Sequence, residues 1–493
     1  VAPYNVYVEK ATQTLSFKNY KGTDTKVKLT QAELQEGKEY DFSAVDGDGK
    51  ANSSISYKVD TSVENAATID ENGKLIVNGA GRITITATLA EDQNHKECSI
   101  EHVLCVDGKE EAGKWISIPK DEVSYTLGNK NGIPSNVAKN TAILDKGELT
   151  YSVEDGVSVG LEADSTGKIY VSDYEKVVEA IEKNGGTLEA KIVIKKAKCV
   201  WEIGALECGY PADSSSYTLK ITMANAPTES CKIYSVDALD EELTKENGDN
   251  GWYNTELLVK PDSEYSIIRA DELSGDNPKF GDYVKIGDKE TDQGEKNDRC
   301  VYLRNKDNGE ITQKVVLNIS KVDTIAPLNL GIIYPTANEK DSVKYYGDKV
   351  TIMFVAYDAV SGVDHFEWKY TKENGASESI LDTDSGIVAA QRDTTDSSKY
   401  IGMLTLPENQ VEQLRGNLQI KAVDKAGKMS DGYTDTGVFV IDTIAPNQKV
   451  EYRLKKGIGV SQMYGGKHYF SGAVEFTFKI EEANFYSEDV VIK

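Results

Sequence analysis

The sequence predicts an all-β chain of tandem β-sandwiches laid end to end in an elongated array, with one short helix inserted in the second sandwich. Three observations carry that prediction. Strand-favouring Val, Ile, Thr and Tyr are spread along all 493 residues, with 27 Tyr beside 10 Phe, which suits sheets that keep one face wet. Two early stretches follow one plan. The phrase DTIAP then occurs twice, at 323–327 and 442–446, each time directly after an apolar strand-like run. Identical punctuation at domain-length spacing marks joints between similar modules.

The early repeat sets the first two modules. The run ISYKVD (55–60), TIDENGKLIV (68–77) and GAGRITITATLA (79–90) is echoed by LTYSVED (149–155), EADSTGKIYV (162–171) and GGTLEAKIVI (185–194). In each, a Gly-Lys pair at 73–74 or 167–168 follows a polar turn and launches alternating residues, the pattern of a hairpin. The alternation at 82–90 predicts Ile83, Ile85, Ala87 and Leu89 on a buried face and Thr84, Thr86 and Thr88 on the other. The second module also carries SDYEKVVEAIEKNGG (172–186). There Tyr174, Val177, Val178 and Ile181 recur at helical spacing, Ser172 and Glu175 form a capping box, and Gly185 supplies the stop.

A second repeat type begins near residue 230. Aromatic pairs at 252–253, 345–346 and 469–470 each stand shortly before an alternating apolar run. Strand, glycine turn and closing strand then lead into DTIAP. Asp323 and Asp442 can bond the N–H groups of a turn with their carboxylates, Thr324 and Thr443 cap it, and Pro327 and Pro446 forbid continuation of the ladder. Ala326 and Ala445, before proline, are held extended. These residues are expected to be stiff module hinges. Boundaries fall at 1–108, 109–228, 229–323, 324–442 and 443–493, the last a truncated module. The chain opens at Val1 and ends at Lys493 within a strand-like pattern, so it reads as part of a longer protein.

The chain resembles bacterial immunoglobulin-like domain arrays of Gram-positive gut-bacterial surface proteins. The first two modules resemble the group 2 type through TIDENGKLIVNGAGRITITATLAED. The later ones resemble arrays in which GWYN (251–254), DAVSGV (358–363), VDKAGK (423–428) and DTIAP recur in that order. The resemblance covers nearly the whole chain except 195–235, and it implies an extracellular rod of immunoglobulin-like sandwiches, further modules of the same longer chain as neighbours, and no catalytic machinery.

Composition agrees with a surface role. Asp and Glu number 81 against 56 Lys and Arg, a formal charge of −25, which repels nucleic acid and anionic lipid. No run of about 18 apolar residues offers a membrane insertion. The four histidines, His95, His102, His365 and His468, lie in no metal-binding spacing, and no Gly-x-Ser-x-Gly elbow accompanies them. No catalytic residue and no cofactor is expected.

Calcium is the one ion the acidic loops suggest, at 246–250 and 288–298. The stretch from Asp46 opens like a calcium loop, but Lys50 and Tyr57 stand at its fifth and twelfth positions, where ligands are required. Six cysteines are too few for a disulfide-dense scaffold. Cys98 and Cys105 would lie about 23 Å apart on opposite faces of one strand. Cys199 and Cys208 are spaced to close a hairpin-sized loop, and Cys231 with Cys300 to staple one module, although six thiols allow fifteen connectivities.

Two functions fit. One is a stalk holding other domains away from a cell wall; four and a half sandwiches with strands of about ten residues span roughly 160–180 Å. The other is an adhesin binding a host glycan or matrix protein. Trp201, inside the unrepeated segment, is its candidate surface contact, because a flat ring stacks on a pyranose face. Trp252 and Trp368 read as packing residues.

Overall fold

The computed structural model describes residues 8–491, except 52–53, 110–114, 143–146, 204–205, 374–383, 408–412, 436, 456–459, 483 and 485–489. The chain is all-β, a series of β-sandwiches with a few short helices. Its contacts divide it into two compact units. One comprises Val1–Ser230, Pro261–Asp282 and Cys300–Val315; the other comprises Cys231–Lys260, Tyr283–Arg299 and Val316–Lys493.

In the first unit, Gly81–Leu89 pairs antiparallel with Ile55–Thr61 and Cys98–Gly108, and Asp24–Leu29 joins Cys98–Gly108 in parallel. The alternation decides the packing as expected: Ile83, Ile85, Ala87 and Leu89 are buried with Phe42, Leu75, Val77 and Leu104, and the threonines between them are half-buried. Each such aliphatic side chain contributes about 1.5–3 kcal/mol by leaving water. Both Gly-Lys hairpins form, Ala67–Ile69 with Lys74–Val77 and Leu161–Ala163 with Ile169–Val171.

The second core of this unit lies under the sheet of Glu122–Thr126, Asp213–Thr222, Thr187–Lys196 and Leu149–Val153. The helix Tyr174–Lys183 covers it with Val177, Val178 and Ile181. Its cap is Asp173 rather than the expected Ser172: the Asp173 carboxylate accepts the Lys176 N–H, while the Ser172 and Asp173 N–H groups both donate to the Gly160 carbonyl, at 2.9 and 3.2 Å. Gly185 adopts φ +73° past the last turn, as a stop requires. The strands Tyr265–Arg269 and Cys300–Asn305 add Ile268 and Tyr302 to the same core. A six-residue helix in the first sandwich, Gln31–Glu36, has a complete capping box from Thr30 and Glu33, a signal present in the sequence and overlooked.

One expectation is corrected here. The disulfide described joins Cys208 to Cys105, with Cα atoms 5.3 Å apart, and not to Cys199. In the hairpin of Cys199–Ile203 and Leu206–Tyr210, Cys199 stands opposite Tyr210, and Cys208 stands opposite Trp201. The hairpin docks in parallel on Cys98–Gly108, with Gly209 beside Asp107, which brings Cys208 to Cys105. The 199–210 hairpin of the unrepeated segment is thus an addition to the first sandwich's sheet, and Tyr210 enters that sandwich's core, where Trp115 meets it edge-on at 5.3 Å.

In the second unit, Cys231–Ser235, Ala238–Glu242, Leu257–Pro261 and Val284–Ile286 form one sheet. A fuller sandwich follows. Leu328–Ile333, Val350–Tyr357, Lys399–Leu406 and Gln391–Arg392 face a second sheet that includes Val343–Tyr346, Phe439–Asp442, Gln413–Asp424 and Val363–Lys372. Phe354, Phe366, Trp368, Tyr370, Leu418 and Phe439 fill it.

A single turn recurs through both units. At Asp46, Asp70, Asp164 and Asp424 the sequence reads Asp-x-x-Gly-Lys, and in all four the aspartate Oδ1 accepts the Lys N–H at 2.7–3.0 Å. The glycine N–H donates to the aspartate carbonyl, and the glycines take φ +74° to +85°, a region that penalises any Cβ. At Gly73 an added Cβ would also meet Tyr57 Cε1 at 2.8 Å and the Phe42 backbone at 2.9 Å, whereas Gly22, also at positive φ, has open space. Gly73→Ala is expected to cost roughly 2–3 kcal/mol and Gly22→Ala about 1 kcal/mol. Urea unfolding of the two variants measures this, and equal losses would show that the close approach at Gly73 is not what excludes a side chain.

Candidate functional site: a buried aspartate joint

GWYN, the first DTIAP, DAVSGV and VDKAGK, spread over residues 251–428 of the sequence, meet within the second unit. Asp323, the first letter of DTIAP, is fully buried. Its Oδ1 accepts the Ile325 N–H at 3.0 Å, the turn role expected of it, and its Oδ2 accepts the Ser361 N–H of DAVSGV at 3.0 Å. Asp358 opens that second phrase, with Oδ1 accepting the Val360 N–H at 2.7 Å and Oδ2 facing the Ser361 hydroxyl at 3.5 Å. Asp424 opens the DKAGK turn. The Lys425 N–H donates to the Gly362 carbonyl at 2.9 Å, so the two loops are tied.

GWYN closes the other side. The Asn254 amide donates to the Ala426 carbonyl at 3.1 Å, the Asn250 amide to the Lys425 carbonyl at 2.9 Å, and the Asp249 N–H to the Ala426 carbonyl at 3.1 Å. Lys428 Nζ returns a bond to the Asn254 carbonyl at 2.9 Å. Trp252 and Tyr253 are buried beside this loop, and the Tyr253 carbonyl accepts the Asp323 N–H at 2.9 Å.

Carboxylate oxygens of Asp323, Asp358 and Asp424 lie within 4.8 Å of one another, a group of metal-ligating type among the described residues. Burial pushes the Asp424 carboxyl up to about 7, and the charges of Asp323 and Asp358 add to it. Burial likewise raises Asp358, with Asp323 adding. The same turn elsewhere does the opposite: the Lys74 N–H holds Asp70 below the usual carboxylate range, and the Thr166 hydroxyl and Lys168 N–H do so for Asp164. Geometry is shared among these turns, so the difference comes from burial beside two other acids.

The other expected site residues are spread apart. Thr324 binds Gln293 and the Gly287 carbonyl, and Pro327 is buried just before Leu328–Ile333. At the second DTIAP, Asp442 accepts the Ile444 N–H at 3.0 Å, Gln413 at 2.9 Å and Asn484 at 2.8 Å. Burial acts to raise this carboxyl, but those bonds outweigh it and its value is lowered. Thr443 Oγ1 is buried without a bond among the described residues, and Pro446 is exposed. Trp201 is half-buried, with ring atoms 3.2–3.4 Å from the Cβ position of Gly81. Cys231 opens the strand Cys231–Ser235 and Cys300 the strand Cys300–Asn305.

Of the two loops that suggested calcium, 246–250 belongs to this joint through Asp249 and Asn250. The other, 288–298, is organised by Arg299, whose guanidinium binds the carbonyls of Gly294, Lys296, Ile319 and Ser320, and by Asp292, which accepts the Gly287 N–H at 3.0 Å. Sequence reasoning missed Asp358 and Asp424 as partners of Asp323. The signal was available, because each opens one of the repeated phrases.

No family model matches the chain, and no curated protein does. Among solved structures, human protocadherin-24 EC1-2 is similar over 41% of this chain and 95% of its own, at 15% identity and a TM-score of 0.19. Drosophila N-cadherin EC1-4 covers 86% and 99%, at 11% identity and 0.18. BcpA, the major pilin subunit of Bacillus cereus, covers 52% and 80%, at 11% identity and 0.15. The likeness is one of β-sandwich arrays and nothing narrower.

The Asn254 side-chain amide donates across the joint to the buried Ala426 carbonyl, so Asn254→Ala, which keeps the main-chain carbonyl that accepts from Lys428, is expected to destabilise the second unit by about 1–2 kcal/mol. Asn247→Ala, which removes two bonds within this loop, from the Asn254 N–H and to the Thr255 hydroxyl, and none across the joint, is expected to cost about half as much because both are exposed. Urea unfolding compares them, and an Asn254→Ala midpoint equal to wild type would remove the joint's claim to stability.

Proposed function

We propose that the chain is a non-catalytic extracellular spacer of a bacterial surface protein, holding other parts of that protein away from the cell wall. The observation that carries this reading is the joint. The first DTIAP, GWYN, DAVSGV and VDKAGK are spent on fixing one stretch of the chain against the next, which is what a stalk needs from its links. Trp115, Trp252 and Trp368 are buried, and Trp201 is half-buried with its ring close against Gly81, so the tryptophans offer little flat surface for a sugar. A formal charge of −25 would keep neighbouring stalks apart. Among the described residues no helix is long and apolar enough to cross a membrane.

Small-angle scattering of the chain tests the reading. A spacer of this length is expected to show a maximum dimension of roughly 160–180 Å, from strands rising 3.3 Å per residue; a particle under about 100 Å would sink it. The adhesin reading is tested in parallel on immobilised mucin glycans and matrix proteins. Saturable binding that Trp201→Ala removes would replace the spacer with a binder whose contact is the docked hairpin.

A further inference from the structure

We propose that Asp323, Asp358 and Asp424 form a binding site for a divalent cation of calcium type, held between the DTIAP linker and two loops of the sandwich that follows it.

Convergence of acids alone would not justify a site. The second observation is that Asp424 Oδ2 is buried and has no hydrogen-bond partner among the described residues, although the residue is only 2% exposed. A carboxylate oxygen taken from water and given nothing in return carries a desolvation penalty that native folds avoid. Its neighbours make this worse, because Asp323 and Asp358 bring further carboxylates, acceptors like itself, into the same cluster. No ion pair among the described residues reaches any of the three. The close lysines are committed elsewhere: Lys428 Nζ binds the Asn254 carbonyl, and Lys425 is exposed.

The exposed copies of the turn serve as internal controls. Asp70 and Asp164 share the Asp-x-x-Gly-Lys geometry and the same bond from the lysine N–H to Oδ1. Neither is buried. Only in the joint is the turn buried with its second oxygen turned to other acids, so the arrangement there answers a need that the turn itself does not create.

The donor set names the chemistry. All three side chains offer oxygen only, which suits a hard cation rather than zinc or copper. Both oxygens of Asp323 and the Oδ1 of Asp358 and of Asp424 already accept a backbone N–H, so the three carboxylates supply only a partial shell, with Asp424 Oδ2 its unpartnered member, and water or main-chain carbonyls must complete it. Calcium accepts six to eight oxygens in irregular geometry, whereas magnesium demands a near-ideal octahedron and gives up water reluctantly. An ion of charge +2 among three carboxylates relieves their repulsion and binds residues 323, 358–361 and 424–428 to one point.

Calorimetric titration of the 493-residue chain with calcium chloride, after removal of bound ions by EDTA, tests the proposal. The expected result is one saturable site, weakened at least tenfold by Asp424→Asn and by Asp358→Asn, unaffected by Asp298→Asn in the exposed acidic loop, and at least tenfold weaker for magnesium. Thermal unfolding adds a readout that a merely structural role would not give. In EDTA, Asp424→Asn should melt no lower than wild type, since it removes a buried charge, while calcium should raise the melting temperature of wild type and not of the variant. Should either variant fail to fold, hydrogen exchange on the unmodified chain decides: calcium should slow exchange at 249–254, 358–362 and 424–428. No saturable calcium binding, equal binding by wild type and both variants, or calcium-insensitive exchange in those three segments would overturn the site.

Discussion

An aspartate that gives its own carboxylate oxygen to the N–H groups of the turn it begins is the contact on which this chain most depends. Strands bury the cores, but strands must reverse, and a tight reversal leaves N–H groups that the ladder cannot satisfy. A short carboxylate reaches them without a partner from elsewhere. At Asp46, Asp70, Asp164 and Asp424 it accepts the N–H four residues on, and the glycine before the lysine takes the positive φ that closes the loop. At Asp323 and Asp442 the same oxygen accepts the N–H two residues on, and proline then ends the strand pairing. A chain so rich in acids is therefore not merely solvated by them. Many of its aspartates are parts of the backbone's hydrogen-bonding scheme.

Local features of this kind were legible in the sequence. The alternation at 82–90 gave the buried face of Gly81–Leu89 because a period of two admits no other arrangement once one side is apolar. The hairpins at 73–74 and 167–168 followed from glycine's conformational freedom, and the helix Tyr174–Lys183 from a 3.6-residue apolar spacing. Its cap was misplaced by one residue because Ser172 and Asp173 are both good caps, and it is the Asp173 carboxylate that accepts the Lys176 N–H.

What the sequence concealed is long-range. Nothing in the spacing of Cys105 and Cys208 marks them as partners, since the hairpin that carries Cys208 must first dock on Cys98–Gly108, across a stretch that contains most of another sandwich. The same holds for the joint. Asp323, Asp358 and Asp424 each look like ordinary turn residues, and each is one. Only the fold reveals that three turns share a buried point, and that the third is gripped by Asn254 of GWYN and by Asn250 just before it. Phrases far apart in the sequence are here the separate parts of one joint.

The two DTIAP phrases show how far identical letters can differ in physical role. Asp442 is partly exposed and faces amides, Gln413 and Asn484, which favour its charge. Asp323 is sealed from water and faces Asp358 and Asp424. A neutral pair of amides can settle a carboxylate by donating hydrogen bonds, and such a link holds by itself. Two further carboxylates cannot, because each added negative charge in a dry site raises the cost of the others. A link of the first kind is complete when folded, whereas the second leaves Asp424 Oδ2 without a hydrogen-bond partner among the described residues, and the divalent cation proposed for the joint would answer that charge.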